Sequence, residues 1–584
     1  NNRYQGKPLV FVGTVGLIPK KTNGNKLFEK KALSGDYIVM VGGRVGQDGI
    51  HGATFSSEAM DSKSPATAVQ IGDPITQKKL SDAIVKEARD RNLYSSITDN
   101  GAGGISCSVA EMAKESGGCT VNLDKVPLKY PGLELWQTWI SESQERMTLS
   151  IPKNKWKEFK KLMDKRGVEA TIIGEFNSSS RCIVKQNKNT IMDIDMKFLH
   201  DGLPKREMKT KKPNLNLRET EIRKPKNQNI TFLKMLSRLN IAGFEFISSQ
   251  YDYEVQGNSV LKPLQGKGKV NSETSAVKPL FDSKKGVLLS QGLFPNLSEI
   301  NSYSMAGASI DLAIRNIVAA GGDINKIALL DNFCWCSPNN PERLYQLREA
   351  ARGCFDFAVA YEAPFISGKD SMFNDFKGYN KNGKSVKISV PPTLLISSIG
   401  IVDDVTSLVS LDFKFADDYI YVLGETNNEL AGSEYLELLK VKDLSTPKLD
   451  PIKNRKMYIV FAKAIKKNLI SSSIAISRGG IGTALAKSTM AGFLGVDVSL
   501  KNLKGTAIRD DFALYSESLG RILISVAPKN KKVFERIMKN YSVSLIGKVT
   551  EKKEIRIRGI NEKTIINILT KKALNKYKGR FKKY

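Results

Sequence analysis

Short apolar runs at strand and helix spacings alternate along this chain, a pattern that predicts mixed α and β structure from end to end. An apolar run at 37–41 predicts a strand entering a glycine-rich loop, residues 42–52. Helical spacing follows at 81–91 and again at 105–114, after the loop 98–104, and alternating strands continue to about residue 201. A polar, charged stretch at 213–227 carries almost no large apolar residues and predicts a linker. Beyond it, strands at 286–289 and 326–331 bracket a long helix at 308–320, an amphipathic helix covers 341–357, and a hairpin leads into a strand near residue 393. Trp136, Trp139, Phe355 and Phe357 are expected in the core. The longest apolar stretches, such as 393–402, fall well short of the roughly 20 residues that cross a bilayer.

The pattern repeats itself. Ser141-Glu142-Ser143-Gln144-Glu145-Arg146-Met147 returns as Ser516-Glu517-Ser518-Leu519-Gly520-Arg521-Ile522. Upstream, Gly103-Gly104-Ile105 answers to Gly479-Gly480-Ile481, and downstream Ile173-Gly174 answers to Ile546-Gly547. Spacing held across three anchors means two copies of one fold. The segment 9–18 matches 393–402, yet the second copy carries roughly 150 residues before that strand and the first only eight. The first copy is therefore expected to lack most of its front half, so that the chain reads as half-unit, linker, full unit.

Length and charge narrow this further. The 584 residues exceed one core and predict three or four domains. A formal charge of +30 raises the question of nucleic acid, but Lys and Arg are spread over every segment, so no specific nucleic-acid role is expected. Six scattered cysteines and two histidines argue against a disulfide framework or a zinc site, and a reducing cytoplasm is the expected compartment.

Three motifs carry candidate chemistry. Residues 378–385 fit the P-loop pattern, but Asn382-Gly383 signals a hairpin turn and no helix follows, so phosphate binding is rejected there. In the loop 98–104, glycines permit close backbone approach, and Asp99 is either a hard ligand for Mg²⁺ or a simple cap. The second copy has no carboxylate in that loop, and it replaces Gln144-Glu145 by Leu519-Gly520. Duplicated folds share packing needs, so polar groups kept in one copy point to chemistry. Gly368-Lys369-Asp370-Ser371 is either a phosphate and metal contact at a strand end or a plain turn. His51, in its glycine loop, is either a substrate contact or a hydrogen-bonded loop residue.

Taken together, the stretches 42–58, 69–74, 98–104, 140–147, 251–257, 329–335, 365–371 and 391–400 resemble the phosphoribosylformylglycinamidine synthase family over essentially the whole chain. The resemblance implies an α/β (α+β) fold of duplicated aminoimidazole-ribonucleotide-synthetase-like units, each a ferredoxin-like front half followed by an α/β back half. It divides the chain into a front-half tail (1–30), a back half (31–205), a linker (206–235), a second front half (236–405) and a second back half (406–584). It implies ATP-dependent amidation of formylglycinamide ribonucleotide by ammonia, through an iminophosphate, with Mg²⁺. Gln70, Glu142, Ser143, Gln144 and Ser371 match substrate contacts, Asp331, Gly368 and Lys369 match ATP contacts, and Asp99 matches a metal ligand. Lys369 stands where small members of the family place an asparagine ligand, which leaves Asp370 to take the metal. The family's catalytic histidine lies in the absent front half, so the chain alone is expected to be inactive and to need that segment in trans. Ammonia is expected from a separate glutaminase subunit, and a structural ADP in the second copy is a further implication.

Overall fold

The computed structural model describes residues 2–583 except 62–65, 216–220, 251–253, 255 and 381, so most of the 251–257 motif lies outside the described residues. The chain forms two compact units, Asn1–Met208 with Phe373–Ser389, and Lys209–Met372 with Val390–Tyr584.

In the first unit a seven-stranded sheet runs in the order Ser96–Asp99, Arg146–Ile151, Tyr37–Gly42, Ala170–Phe176, Cys119–Asn122, Arg181–Gln186, Asn189–Asp195. Only Cys119–Asn122 and Arg181–Gln186 pair parallel. The central strand alternates between two cores. Ile38 and Met40 face one, where Ile105, Val109 and Met112 of helix Gly104–Ser116 pack at helical spacing, while Val39 and Val41 face the other, with Leu80, Phe159 and Leu162.

The second unit repeats this sheet strand for strand: Ser472–Ala475, Ile522–Val526, Tyr419–Leu423, Val543–Thr550, Gly495–Ser499, Glu554–Arg558, Thr564–Leu569. Its parallel pair falls at the same place, Gly495–Ser499 with Glu554–Arg558. Both sheets break register at the same step, between Ile38 and Val39 and between Ile420 and Tyr421. There the backbones crowd. A Cβ on Gly174 would sit 2.2 Å from the Thr120 carbonyl oxygen, and one on Gly547 2.1 Å from that of Asp497, which explains the paired glycines. The same unit holds a six-stranded sheet, Ser259–Leu261, Thr274–Val277, Gly286–Leu293, Thr393–Val402, Ile327–Cys334, Phe365–Ser371, covered by helices Ser302–Ala319 and Pro341–Tyr361. One core joins that sheet to its back half, since Leu288, Ile310 and Ile396 cluster with Tyr421, Phe461 and Ile524.

Several expectations need correction. The segment 9–18 forms no strand, and Val10 and Val12 are exposed. Its counterpart Thr393–Val402 is hydrogen-bonded on both sides, whereas 9–18 has no sheet neighbour among the described residues, and an unpaired strand does not hold. The expected linker 206–235 ends in a helix, Gln228–Leu236, capped by Asn227 and burying Phe232, Met235 and Leu236 in the second back half. Of the two readings left open at 368–371, the plain turn falls, because residues 365–371 are an edge strand. Trp136 and Phe355 are exposed, not core. The hairpin expected at 378–385 is present as Asp375–Tyr379 and Ser385–Ser389 around Gly383 at φ 72°. Among the described residues no helix is long and apolar enough to cross a membrane.

Candidate functional site

Three loops at one end of the first seven-stranded sheet converge on Glu142. The strand Ser96–Asp99 passes into helix Gly104–Ser116 through Gly103 and Gly104, both left-handed, at φ 71° and 58°. A Cβ on Gly104 would lie 2.0 Å from the Ser141 carbonyl oxygen, so this loop and the turn 141–145 meet backbone to backbone. The buried Glu142 carboxylate accepts from the amides of Gly103 (3.1 Å) and Ala53 (3.0 Å) and from Gln70 Nε2 (3.1 Å). Gln70 is exposed and has its amide nitrogen fixed on this carboxylate.

Ser143 points inward. Its hydroxyl donates to Asp48 Oδ1 (2.8 Å) and accepts from the Gly46 amide (3.0 Å). Burial pushes the Asp48 carboxyl up, but hydrogen bonds from Lys129 and Ser143 outweigh it and the net shift is downward. Arg146, buried and pushed down to about 10 by desolvation, donates to the carbonyls of Ser143 (2.7 Å) and Ser141 (2.6 Å) and ties off the turn. Gln144 is half-buried, and its Nε2 donates to the Glu142 carbonyl (2.7 Å). It borders a cavity of about 370 Å³ lined also by Asp73, Thr76, Arg44 and Lys129. Asp99 is exposed, with one carboxylate oxygen capping the Gly101 amide at 2.8 Å. His51, left-handed at φ 60°, stacks on Trp136 at 6.0 Å.

The second copy keeps the frame and drops the polar tips. Glu517 accepts from the amides of Gly479 (2.8 Å) and Glu434 (2.9 Å), and Arg521 donates to the carbonyls of Ser518 (2.9 Å) and Ser516 (2.6 Å). Ser, Glu, Ser and Arg therefore build the turn in both copies. What differs is Gln144 against Leu519, Glu145 against Gly520 and, by strand register, Asp99 against Ala475. Burial, and next the Glu434 charge, push Glu517 up to about 7 from 4.5. A raised carboxyl holds its proton longer in the folded state, so folding takes up a proton between those two values. That stability is complete below 4.5 and is lost as pH rises through 7, by about 2 kcal/mol between pH 5 and pH 7. Urea titrations at the two pH values should show this slope, and Glu517→Gln should flatten it.

At the edge of the six-stranded sheet, Asp331 faces Gly368 across a parallel pair, where a Cβ on Gly368 would lie 2.3 Å from Asp331 Oδ1. Burial, with the nearby Asp370 charge, raises the Asp331 carboxyl. Strand alternation puts Asp370 on the face of Gly368 and sends Lys369 to the other, where its Nζ donates to Ser371 Oγ (3.3 Å). A carboxylate raised by burial and by a second carboxylate close by suits a divalent cation. Among the described residues no group of three or more His, Cys, Asp or Glu could hold a metal, so a cation there would take its other oxygens from phosphate and water, as Mg²⁺ commonly does.

Residues 34–186 and 416–560, which hold six of the seven strands of each sheet, match the family model for the C-terminal domain of AIR synthase related proteins. Over 98% of its length the chain is 31% identical to phosphoribosylformylglycinamidine synthase subunit PurL of Methanocaldococcus jannaschii, covering 76% of that protein. The chain belongs to the PurL family. The PurL subunit of Thermoplasma volcanium is 30% identical over 93% of the chain and 70% of its own length. Thermotoga maritima PurL complexed with FGAR shares the fold, with a TM-score of 0.62 and 19% identity over 89% of this chain and 72% of that one. Its ATP complex gives 0.59 and 18% over 89% and 71%. The PurL fold brings Gln70, Glu142, Ser143 and Gln144 together around one turn and leaves Asp99 on the neighbouring loop. One feature went unread in the sequence. Asp73-Pro74-Ile75 caps a helix in copy one as Asp450-Pro451-Ile452 does in copy two, a repeat that was there to be found. The repeat did mark Glu145, but its left-handed backbone leaves no mark in sequence.

Proposed function

We propose that this chain is the synthetase that amidates formylglycinamide ribonucleotide to formylglycinamidine ribonucleotide in cytoplasmic purine biosynthesis, consuming ATP and ammonia. The observation that carries this is the asymmetry of the copies within a PurL chain. Asp99 and Gln144 stand on a backbone frame that the second copy reproduces with Ala475 and Leu519.

An amide oxygen is a poor leaving group. Transfer of the ATP γ-phosphoryl group to it gives an iminophosphate, and ammonia then expels phosphate. The chain's part is to hold charged reactants in position. Gln70 and Gln144 offer amide groups whose other ends are fixed on Glu142. Ser143 is turned inward, so its contribution to substrate would come through its backbone. Asp331 and Gly368 would meet the nucleotide, Lys369 would meet phosphate and orient Ser371, and Asp99 and Asp370 would hold Mg²⁺. When bound, Mg²⁺ supplies neutralisation of phosphate charge. Ammonia would come from a glutaminase subunit, and the second copy would carry ADP as a structural ligand.

Calorimetry tests the assignment. The chain should bind formylglycinamide ribonucleotide, and Gln144→Leu, which installs the second copy's residue, should weaken it ten- to a hundredfold, on the order of one charge-assisted hydrogen bond. Absence of any heat with wild type, for the ribonucleotide and for magnesium ATP alike, would sink the assignment.

A further inference from the structure

Glu145 occupies a conformation that its duplicate leaves to glycine. Its φ is 59°, and Gly520 at the equivalent position has φ 73°. A side chain in that region is held against its own preference, and such residues persist where the surroundings fix them and function uses them. Here the fixing is visible. The Glu145 carbonyl accepts from the Gly43 amide (2.9 Å), and a Cβ on Gly42 would lie 2.1 Å from that oxygen. The second copy shows the same close approach, with a Cβ on Gly424 lying 2.7 Å from the Gly520 oxygen. The backbone is thus shared by both copies, and only the first uses it to carry a carboxylate.

That carboxylate borders the 370 Å³ cavity beside Gln144, near Gly72, where an added Cβ would lie 3.6 Å from Glu145 Oε1. The other charged groups of the lining are engaged. Asp73 accepts from the Ile75 and Thr76 amides (3.0 and 3.1 Å) and from Thr76 Oγ1 (2.7 Å). Glu169 is paired with Arg44 (2.8 Å), and Lys129 with Asp48 (2.9 Å). Glu145 receives no side-chain hydrogen bond among the described residues. It is an acceptor without a donor, in a cavity large enough for a small ribonucleotide. A carboxylate repels phosphate, so what it can take from an anionic ribonucleotide is hydroxyl protons, and the ribose diol offers two side by side.

We propose that Glu145 reads the sugar, its carboxylate accepting hydrogen bonds from the 2′- and 3′-hydroxyls of the ribonucleotide; this rests on the substrate assignment above. The position sets specificity, and Gln144 provides the independent control. The test is calorimetric titration of the full chain with formylglycinamide ribonucleotide and its 2′-deoxy analogue, without ammonia or ATP. Wild type should prefer the ribonucleotide at least tenfold. Glu145→Gly, which suits the left-handed backbone and so preserves the fold, should bind the two within about threefold of each other, and Glu145→Gln should fall between. If Gln144→Leu weakens binding while Glu145→Gly keeps the wild-type preference for ribose, the inference about Glu145 is overturned and the substrate site stands. If wild type binds neither ligand, the substrate assignment itself fails and takes this one with it.

Discussion

Asp99→Asn should lower the affinity of the chain for Mn²⁺ in the presence of a non-hydrolysable ATP analogue by a hundred- to a thousandfold. The substitution removes one full negative charge and keeps size and cap. Asp99 already spends one oxygen on the Gly101 amide, which an asparagine oxygen can also accept, so the folded loop should survive. The second oxygen of the exposed carboxylate is the one available to a hard cation. Neutralising phosphate charge with a cation is worth several kcal/mol, and each 1.36 kcal/mol is a factor of ten. If Asp99 were a cap alone, the opposite pattern would appear: Asp99→Ala would lower stability by about 1 kcal/mol and Asp99→Asn would leave Mn²⁺ affinity within threefold of wild type. The pair of variants therefore decides between the two roles that the sequence left open.

The duplicate itself was the most legible feature, for a physical reason. Ser141, Glu142, Ser143 and Arg146 bond to backbone amides and carbonyls of the frame, so both copies must keep them or lose the turn. Side chains that the shared frame does not require are free to change, and Gln144, Glu145 and Asp99 stand against Leu519, Gly520 and Ala475. Less legible were elements whose state depends on neighbours distant in sequence. The segment 9–18 has the same apolar spacing as Thr393–Val402, but spacing does not supply the two flanking strands that fix the latter. Residues 365–371 left strand end and turn both open, because an edge strand has one exposed side and tolerates Gly, Lys and Asp in succession. Helix Gln228–Leu236 was lost in a charged stretch, although Phe232, Met235 and Leu236 are spaced for one buried face. The exposed Trp136 shows the limit of composition, since a large aromatic next to a site can be a surface that holds a loop histidine.

The largest loss of stability is expected from Asp311→Ala, at about 3–5 kcal/mol in urea unfolding of the second unit. Asp311 lies wholly buried on helix Ser302–Ala319. Its Oδ1 accepts from Tyr361 (2.7 Å) and Tyr458 (2.6 Å), and its Oδ2 accepts from the Gly520 amide (3.2 Å) and faces Arg315 at 3.3 Å. These partners come from helices Pro341–Tyr361 and Pro451–Lys466 and from the turn before strand Ile522–Val526, so one carboxylate fastens a front half to its back half. Burial, followed by the Asp311 charge, holds both phenols well above their ordinary value, and they remain donors at any working pH. Removing the carboxylate strands the Arg315 guanidinium, whose Nε and Nη2 already lack hydrogen-bond partners, and orphans two buried hydroxyls. An ion pair of this kind contributes little net energy against apolar substitutes, and the penalty comes from leaving half of it behind. The double variant Asp311→Leu with Arg315→Met should therefore recover most of what the single variant loses. A single variant within 1 kcal/mol of wild type, or a double variant worse than the single, would mean that the carboxylate is not what joins the two halves.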